Sequence, residues 1–157
     1  MELYLFRHGI AENGSPDAGR KLTDKGREKS AAIVRMARNS GAEPSLILSS
    51  PYTRAVETAE VAAVEFGYTG PIVRIESLVP HGTPEAVWND ITDHRSEQCL
   101  LLTSHEPLLS CLTAWLLASP SLQVEMKKSA MVRIDVDSFR GTPQGILRWM
   151  LVPRLAE

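Results

Sequence analysis

The sequence predicts an α/β sandwich, a three-layer arrangement with a mostly parallel central sheet and helices on both faces. Three observations carry this prediction. Short apolar runs recur along the chain, most are followed by a segment with helical apolar spacing, and only the last two runs lack a helix between them. With 157 residues, 43% of them hydrophobic and 23% charged, the chain is sized for one domain, 1–157, around a single sizeable core. No internal repeat, low-complexity segment or linker divides it.

The elements follow in order. Leu3-Tyr4-Leu5-Phe6 reads as a buried strand. After a polar loop with Asn13, Gly14, Ser15 and Pro16, a helix is expected from near Thr23, with Ala32, Ile33, Met36 and Ala37 as its apolar stripe and Gly41 as its stop. Leu46-Ile47-Leu48 is the second strand. Ser50-Pro51 then reads as the N-cap and first residue of a helix striped by Val56, Ala59, Ala63 and Phe66. Ile72 to Leu78 is expected as a third strand, and Pro84 as the opening of a helix with Val87, Trp88 and Ile91. Cys99 to Thr103 is the fourth strand, and beyond Pro107 the residues Leu108, Leu109, Leu112, Trp115 and Leu116 keep the helical period. Val132, Ile134 and Val136 then alternate with Arg133 and Asp135. Ile146 to Val152 follows a turn-rich stretch, so the chain is expected to close with antiparallel strands.

Composition excludes several functions. Lys and Arg total 17 against 19 Asp and Glu, a net charge of -2, so no global basic field points to nucleic acid or an anionic membrane. No apolar stretch approaches the roughly 20 residues that span a bilayer. An acid at Glu2 and a cation at Arg7 interrupt the N-terminal apolar run, unlike a secretory signal, so a soluble, cytoplasmic protein is expected. Cys99 and Cys111 lie in apolar runs without metal-ligand spacing and read as buried, reduced thiols.

In a sheet of this kind ligands bind beyond the carboxyl ends of the strands. Arg7, His8 and Gly9 follow the first strand; Ser49 and Ser50, then Arg54, follow the second; Ser104 and His105 follow the fourth. Two Arg and two His from three segments should therefore share one crevice, together with helix N-termini that favour an anion. That is an oxyanion or phosphate pocket. Zinc on His8 and His105 would want a third protein ligand and would sit poorly beside Arg7 and Arg54, so neither metal nor cofactor is implied. A serine hydrolase would want the Gly-x-Ser-x-Gly elbow, which the chain lacks.

Arg7-His8-Gly9 after an N-terminal strand, Ser50-Pro51-Tyr52-Thr53-Arg54-Ala55-Val56-Glu57-Thr58 and the late Ser104-His105 together resemble the histidine phosphatase superfamily, also called phosphoglycerate mutase-like. Arg20-Lys21-Leu22-Thr23-Asp24-Lys25-Gly26 and Ser104-His105-Glu106-Pro107-Leu108-Leu109 resemble its SixA branch of phosphohistidine phosphatases. The resemblance implies His8 as nucleophile, forming a phosphohistidine that water then hydrolyses. Arg7, Arg54 and His105 would stabilise the phosphoryl oxygens, with His105 protonated once a dianion binds, and Arg20 would contact the phosphate or substrate. Without the resemblance, Arg20 reads as half of a solvated Arg-Lys pair. Many members protonate an alcohol leaving group with a carboxylate after the third strand; here Glu76 is near that place, and His81 could stand at the rim. The lack of an evident acid favours phosphohistidine over phosphate monoesters, because imidazole leaves more readily than an alkoxide.

The implied partner is a phosphorylated protein carrying phosphohistidine, or else a small phosphorylated substrate. A non-catalytic phosphate- or phosphopeptide-binding module is the reading from a different class. The stretch 20–38 holds seven basic residues against Asp24 and Glu28, a solvated helix face or a docking face for an acidic phosphoprotein.

Overall fold

The computed structural model describes residues 1–157. Six strands form one sheet in the order β3-β2-β4-β1-β5-β6: β1 Glu2–Arg7, β2 Leu46–Ser49, β3 Ile72–Arg74, β4 Cys99–Ser104, β5 Met131–Asp135 and β6 Ile146–Leu151. The first four run parallel, and β5 and β6 pair antiparallel along the free side of β1. Four helices connect them: α1 Asp24–Asn39, α2 Thr53–Phe66, α3 Pro84–Asp93 and α4 Leu108–Leu116. No helix is long and apolar enough to cross a membrane.

The three layers follow from strand alternation. Leu3 and Leu5 of β1 point to one face, with Leu48, Leu100 and Leu102, and pack on Val87, Trp88 and Ile91 of α3 and Leu109, Leu112 and Leu116 of α4. Tyr4 and Phe6 point to the other, with Ile47 and Leu101, against Ile33, Val34 and Ala37 of α1 and Ala59 and Ala62 of α2. Because both faces are covered, β1, β2 and β4 are apolar at nearly every position.

Helix boundaries show where local signals hold. Thr23 caps α1, its hydroxyl accepting from Gly26 N at 2.9 Å, and Gly41 (φ 91°) lies just beyond the helix end in a conformation that favours glycine. Three expectations are corrected. Ser50-Pro51 does not open α2, which starts at Thr53 after Tyr52, because the Ser50 hydroxyl is engaged by His105. The third strand stops at Arg74, and Glu76–Leu78 forms a 3-10 turn pinned to the sheet by Ser104 Oγ donating to Leu78 O at 2.6 Å. Cys99 is buried but Cys111 is exposed, on the outer side of α4.

Two glycines let α1 press against the exit of β1. A Cβ on Gly9 would stand 2.8 Å from both Gly26 O and Ser30 Oγ, and one on Gly26 would run into the backbone of Ile10. In Gly26→Ala the helix propensity gain of about 1 kcal/mol is outweighed by overpacking of about 1–3 kcal/mol, so thermal melting should fall. A melting temperature at or above wild type would contradict this close approach.

Candidate active site

The strands deliver the site in register. Arg7 of β1 lies opposite Ser104 of β4, and Ser49 of β2 lies opposite Thr103. Pairing continues one residue further, His8 N donating to Ser104 O (3.0 Å) and Ser50 N to Thr103 O (2.9 Å). His8, Ser50 and His105 therefore emerge side by side, with the two imidazole centroids 5.0 Å apart.

His8 is 6% exposed, and its Nδ1 lies 2.7 Å from the carbonyl of Gly9. A carbonyl only accepts, so the proton sits on Nδ1 and the lone pair on Nε2 faces the pocket. There it meets Arg54 Nε at 3.2 Å. Burial, then the charges of Arg54, Arg7 and Lys128, push the His8 pKa down to about 3, which keeps the ring neutral. His105 is pushed to about 2 by burial, His8 and Arg54, so it too is neutral, and protonation there would await a bound dianion. Its Nε2 lies 2.7 Å from Ser50 Oγ, while its buried Nδ1 has no partner. Ser50 Oγ also accepts from Tyr52 N at 3.3 Å. With Ser50 Oγ donating to Nε2, the His105 proton sits on the unpartnered Nδ1, where it can be given to an oxyanion.

Arg54 is 5% exposed, in the first turn of α2. Its Nη1 donates to Asp17 O (2.8 Å) and its Nη2 pairs with the Asp17 carboxylate (3.2 Å). The other carboxylate oxygen of Asp17 takes Arg20 Nη1 at 2.9 Å, and Arg20 Nε donates to Glu12 O at 2.7 Å. Hydrogen bonds from Arg20 and then Arg54 hold the Asp17 carboxyl below the usual carboxylate range. The rest of the 54–58 motif anchors the loop after β1. Glu57 accepts from Leu22 N (2.6 Å) and pairs with Arg27 (2.8 Å), and Thr58 Oγ1 accepts from Gly9 N (3.1 Å) while donating to Arg54 O (2.7 Å).

The structure thus brings together Arg7, His8, Arg54 and His105. Arg7 places its Nη1 on Met126 O at 2.5 Å and leaves its buried Nε without a partner. Arg20 stands at the rim, joined to Arg54 through Asp17 rather than touching His8. Glu76 and His81 are exposed, and neither hydrogen-bonds to the four. Sequence reading missed Asp17: a lone acid in a polar loop carries no signal of an arginine 37 positions away. Of the basic residues in 20–38, Arg27 pairs with Glu57, Arg35 with Glu65 and Lys29 with Glu157, while Arg38 donates to Glu65 O. That face is therefore partly neutralised, with Lys21 and Lys25 outside any ion pair.

Residues 3–79 match the model of the histidine phosphatase superfamily (branch 1). An uncharacterized protein of Picosynechococcus sp. is 34% identical over 113 residues, 68% of this chain and 67% of that one. Phosphohistidine phosphatase SixA of Escherichia coli is 24% identical over 98% of this chain and 94% of its own. In fold, the chain superposes on a structure of protein histidine phosphatase SixA complexed with tungstate with a TM-score of 0.88, at 23% identity over all of both chains. It also superposes on the alpha-ribazole phosphatase of Shigella flexneri with a TM-score of 0.76, at 19% identity over 98% and 97%.

The neutral rings link stability to pH. Above about 6.5 both folded and unfolded chains hold these imidazoles neutral, and as pH falls the unfolded chain takes up protons that the folded pocket refuses. Stability should therefore fall from pH 6.5 downward, by roughly 3 kcal/mol per ring at pH 4.5. Melting temperatures across this range should show a shallower decline in His8→Gln and when tungstate saturates the pocket. An identical slope in all three would contradict the buried neutral state.

Proposed function

The chain belongs to the histidine phosphatase superfamily, and from that premise we propose that it is a phosphatase that removes the phosphoryl group from a phosphohistidine carried by a protein. The observation that carries the choice of substrate is Asp17, the carboxylate that touches the site cations. Arg20 and Arg54 keep it ionised, so it holds no proton to give a leaving group. An alkoxide departs poorly without such a proton, whereas a phosphorylated imidazole protonated on its other nitrogen departs as a neutral ring.

In the first step His8 Nε2 attacks phosphorus in line; the new N–P bond forms as the bond to the substrate imidazole breaks and that ring keeps the bonding pair. His8 Nδ1 stays on Gly9 O, which orients the ring and carries the proton of the neutral tautomer. Arg54 turns its donors from His8 and Asp17 to the transferring oxygens, joined by Arg7 and by the free Nδ1 of His105. In the second step water attacks phosphorus, the His8–P bond breaks, the pair returns to Nε2 and inorganic phosphate leaves. The end-to-end likeness in fold to SixA supports the same substrate. A small phosphomonoester is the competing reading, favoured by the likeness to alpha-ribazole phosphatase.

Turnover of a phosphohistidine peptide and of p-nitrophenyl phosphate separates the two. We expect kcat/KM to favour the peptide by about a hundredfold or more, the scale of a missing general acid. Preference for the monoester would overturn the reading. His8→Ala should abolish turnover, and Arg54→Ala should lower kcat/KM by roughly 10²–10³-fold; near-normal rates in either variant would remove that residue from its role.

A further inference from the structure

Arg7 also lines a groove of about 790 Å³ whose other residues the proposed chemistry does not use. It is lined by five cations, Arg7, Lys29, Lys127, Lys128 and Arg154, against two carboxylates, Glu125 and Glu157, in a chain whose net charge is -2. Lys29 is paired with Glu157 (2.7 Å) and Lys127 with Glu125 (2.5 Å), which leaves Arg7, Lys128 and Arg154 without an ion pair. Ile10, Val152 and Pro153 give the groove a partly apolar wall. The volume exceeds what a phosphate alone needs and falls among the roughly 300–1,000 Å³ of clefts that hold drug-sized ligands.

The groove is built onto the catalytic pocket. Arg7 lines it while reaching Met126 O, and the turn Lys127–Ala130 is closed by Ala130 N donating to Lys127 O at 2.9 Å. Ser129 holds φ at 62°, a left-handed backbone uncommon for a residue other than glycine, and is tied from both sides. Its N–H reaches His8 O at 3.2 Å, and its hydroxyl meets Ser30 Oγ at 2.9 Å. This bracing sets Lys128 beside the residue that carries the candidate nucleophile, close enough for its charge to act on the His8 ring. Of the cations of α1, Arg27 and Arg35 pair with Glu57 and Glu65, Lys25 and Arg38 have no ion pair, and only Lys29, paired with Glu157, lines this groove, where Arg7, Lys128 and Arg154 carry the unpaired charge.

We propose that the groove beside Arg7, with Lys128 and Arg154 as its free cations, docks an acidic segment flanking the phosphorylated histidine of the protein substrate. The proposal rests on the phosphohistidine reading and adds to it a recognition element outside the reacting group. Carboxylates of the segment would meet Lys128 and Arg154 while the phosphoryl group passes Arg7 to His8. Such contacts act through charge complementarity and add selectivity among phosphoproteins.

Two phosphohistidine peptides of equal length, one flanked by glutamates and one by glutamines, test it. With wild-type protein at low salt, kcat/KM should favour the glutamate peptide about tenfold, and the preference should collapse in high salt, where exposed charges are screened. Lys128→Glu/Arg154→Glu should abolish or reverse the preference. Equal handling of both peptides by the wild type overturns the proposal without touching the phosphohistidine reading. Should wild-type protein hydrolyse neither peptide, that reading falls, and docking is then read from fluorescence anisotropy of the labelled, unphosphorylated glutamate peptide. Binding about tenfold tighter to wild type than to the double variant at low salt supports the groove, and equal binding overturns it. If the variant does not fold, wild-type binding at low and at high salt decides: a loss of about tenfold in high salt supports the groove, and unchanged binding overturns it.

Discussion

Strands β1, β2 and β4 end level with one another, and the hydrogen bonds His8 N to Ser104 O and Ser50 N to Thr103 O carry that alignment one residue past the regular ladder. A shift of one residue would turn every side chain to the opposite face. Leu3 and Leu5 would then exchange places with Tyr4 and Phe6 between the two helical layers, and His8 would part from His105 and Arg54. The packing of both cores thus enforces the register, and the register sets the spacing of the candidate site. The geometry of the candidate site and the stability of the fold are held by the same strand pairing.

Around that alignment the chain assembles cations it then has to manage. Arg7, Arg54 and Lys128 surround a buried imidazole, and their mutual repulsion is relieved by three kinds of partner. Main-chain carbonyls of Met126 and Asp17 accept from the guanidinium groups, the Asp17 carboxylate bridges Arg54 and Arg20, and His8 itself accepts from Arg54 through Nε2. A phosphoryl dianion would replace the last two on Arg54. The donors are thus gathered at the site but engaged by the protein's own acceptors, and a tetrahedral anion would take them over by exchange. The unpartnered Nδ1 of His105 and Nε of Arg7 fit the same picture, as buried polar atoms usually find partners.

Much of this was legible in the sequence, for reasons that are physical. Fully buried strands are apolar at consecutive positions, so Leu3 to Phe6, Leu46 to Leu48 and Cys99 to Thr103 stand out. Residues one step beyond such runs must lie at the sheet's carboxyl edge, so Arg7, His8 and His105 could be placed together without coordinates. What failed depended on partners distant in sequence. Ser50-Pro51 has the local form of a helix start, but His105 claims the serine hydroxyl. Asp17 gains meaning only through Arg54, and Glu57, Glu65 and Glu157 neutralise three cations of the basic first helix from distant parts of the chain. Ile72 to Leu78 reads as a strand because its apolar residues suit one, yet Ser104 pulls Leu78 into a 3-10 turn. Cys111 sits in an apolar run on a helix whose outer side faces solvent.

His8 is a neutral imidazole with its proton on Nδ1 and its lone pair on Nε2, kept from protonation by burial first and by the surrounding cations second. Long-range proton–nitrogen NMR of the imidazole, recorded on the ligand-free protein from pH 7 down to pH 5, reads this directly. The expected result is a protonated, pyrrole-like Nδ1 and a bare, pyridine-like Nε2 for His8 across the whole range. An imidazolium with both nitrogens protonated, or the proton on Nε2, would contradict it.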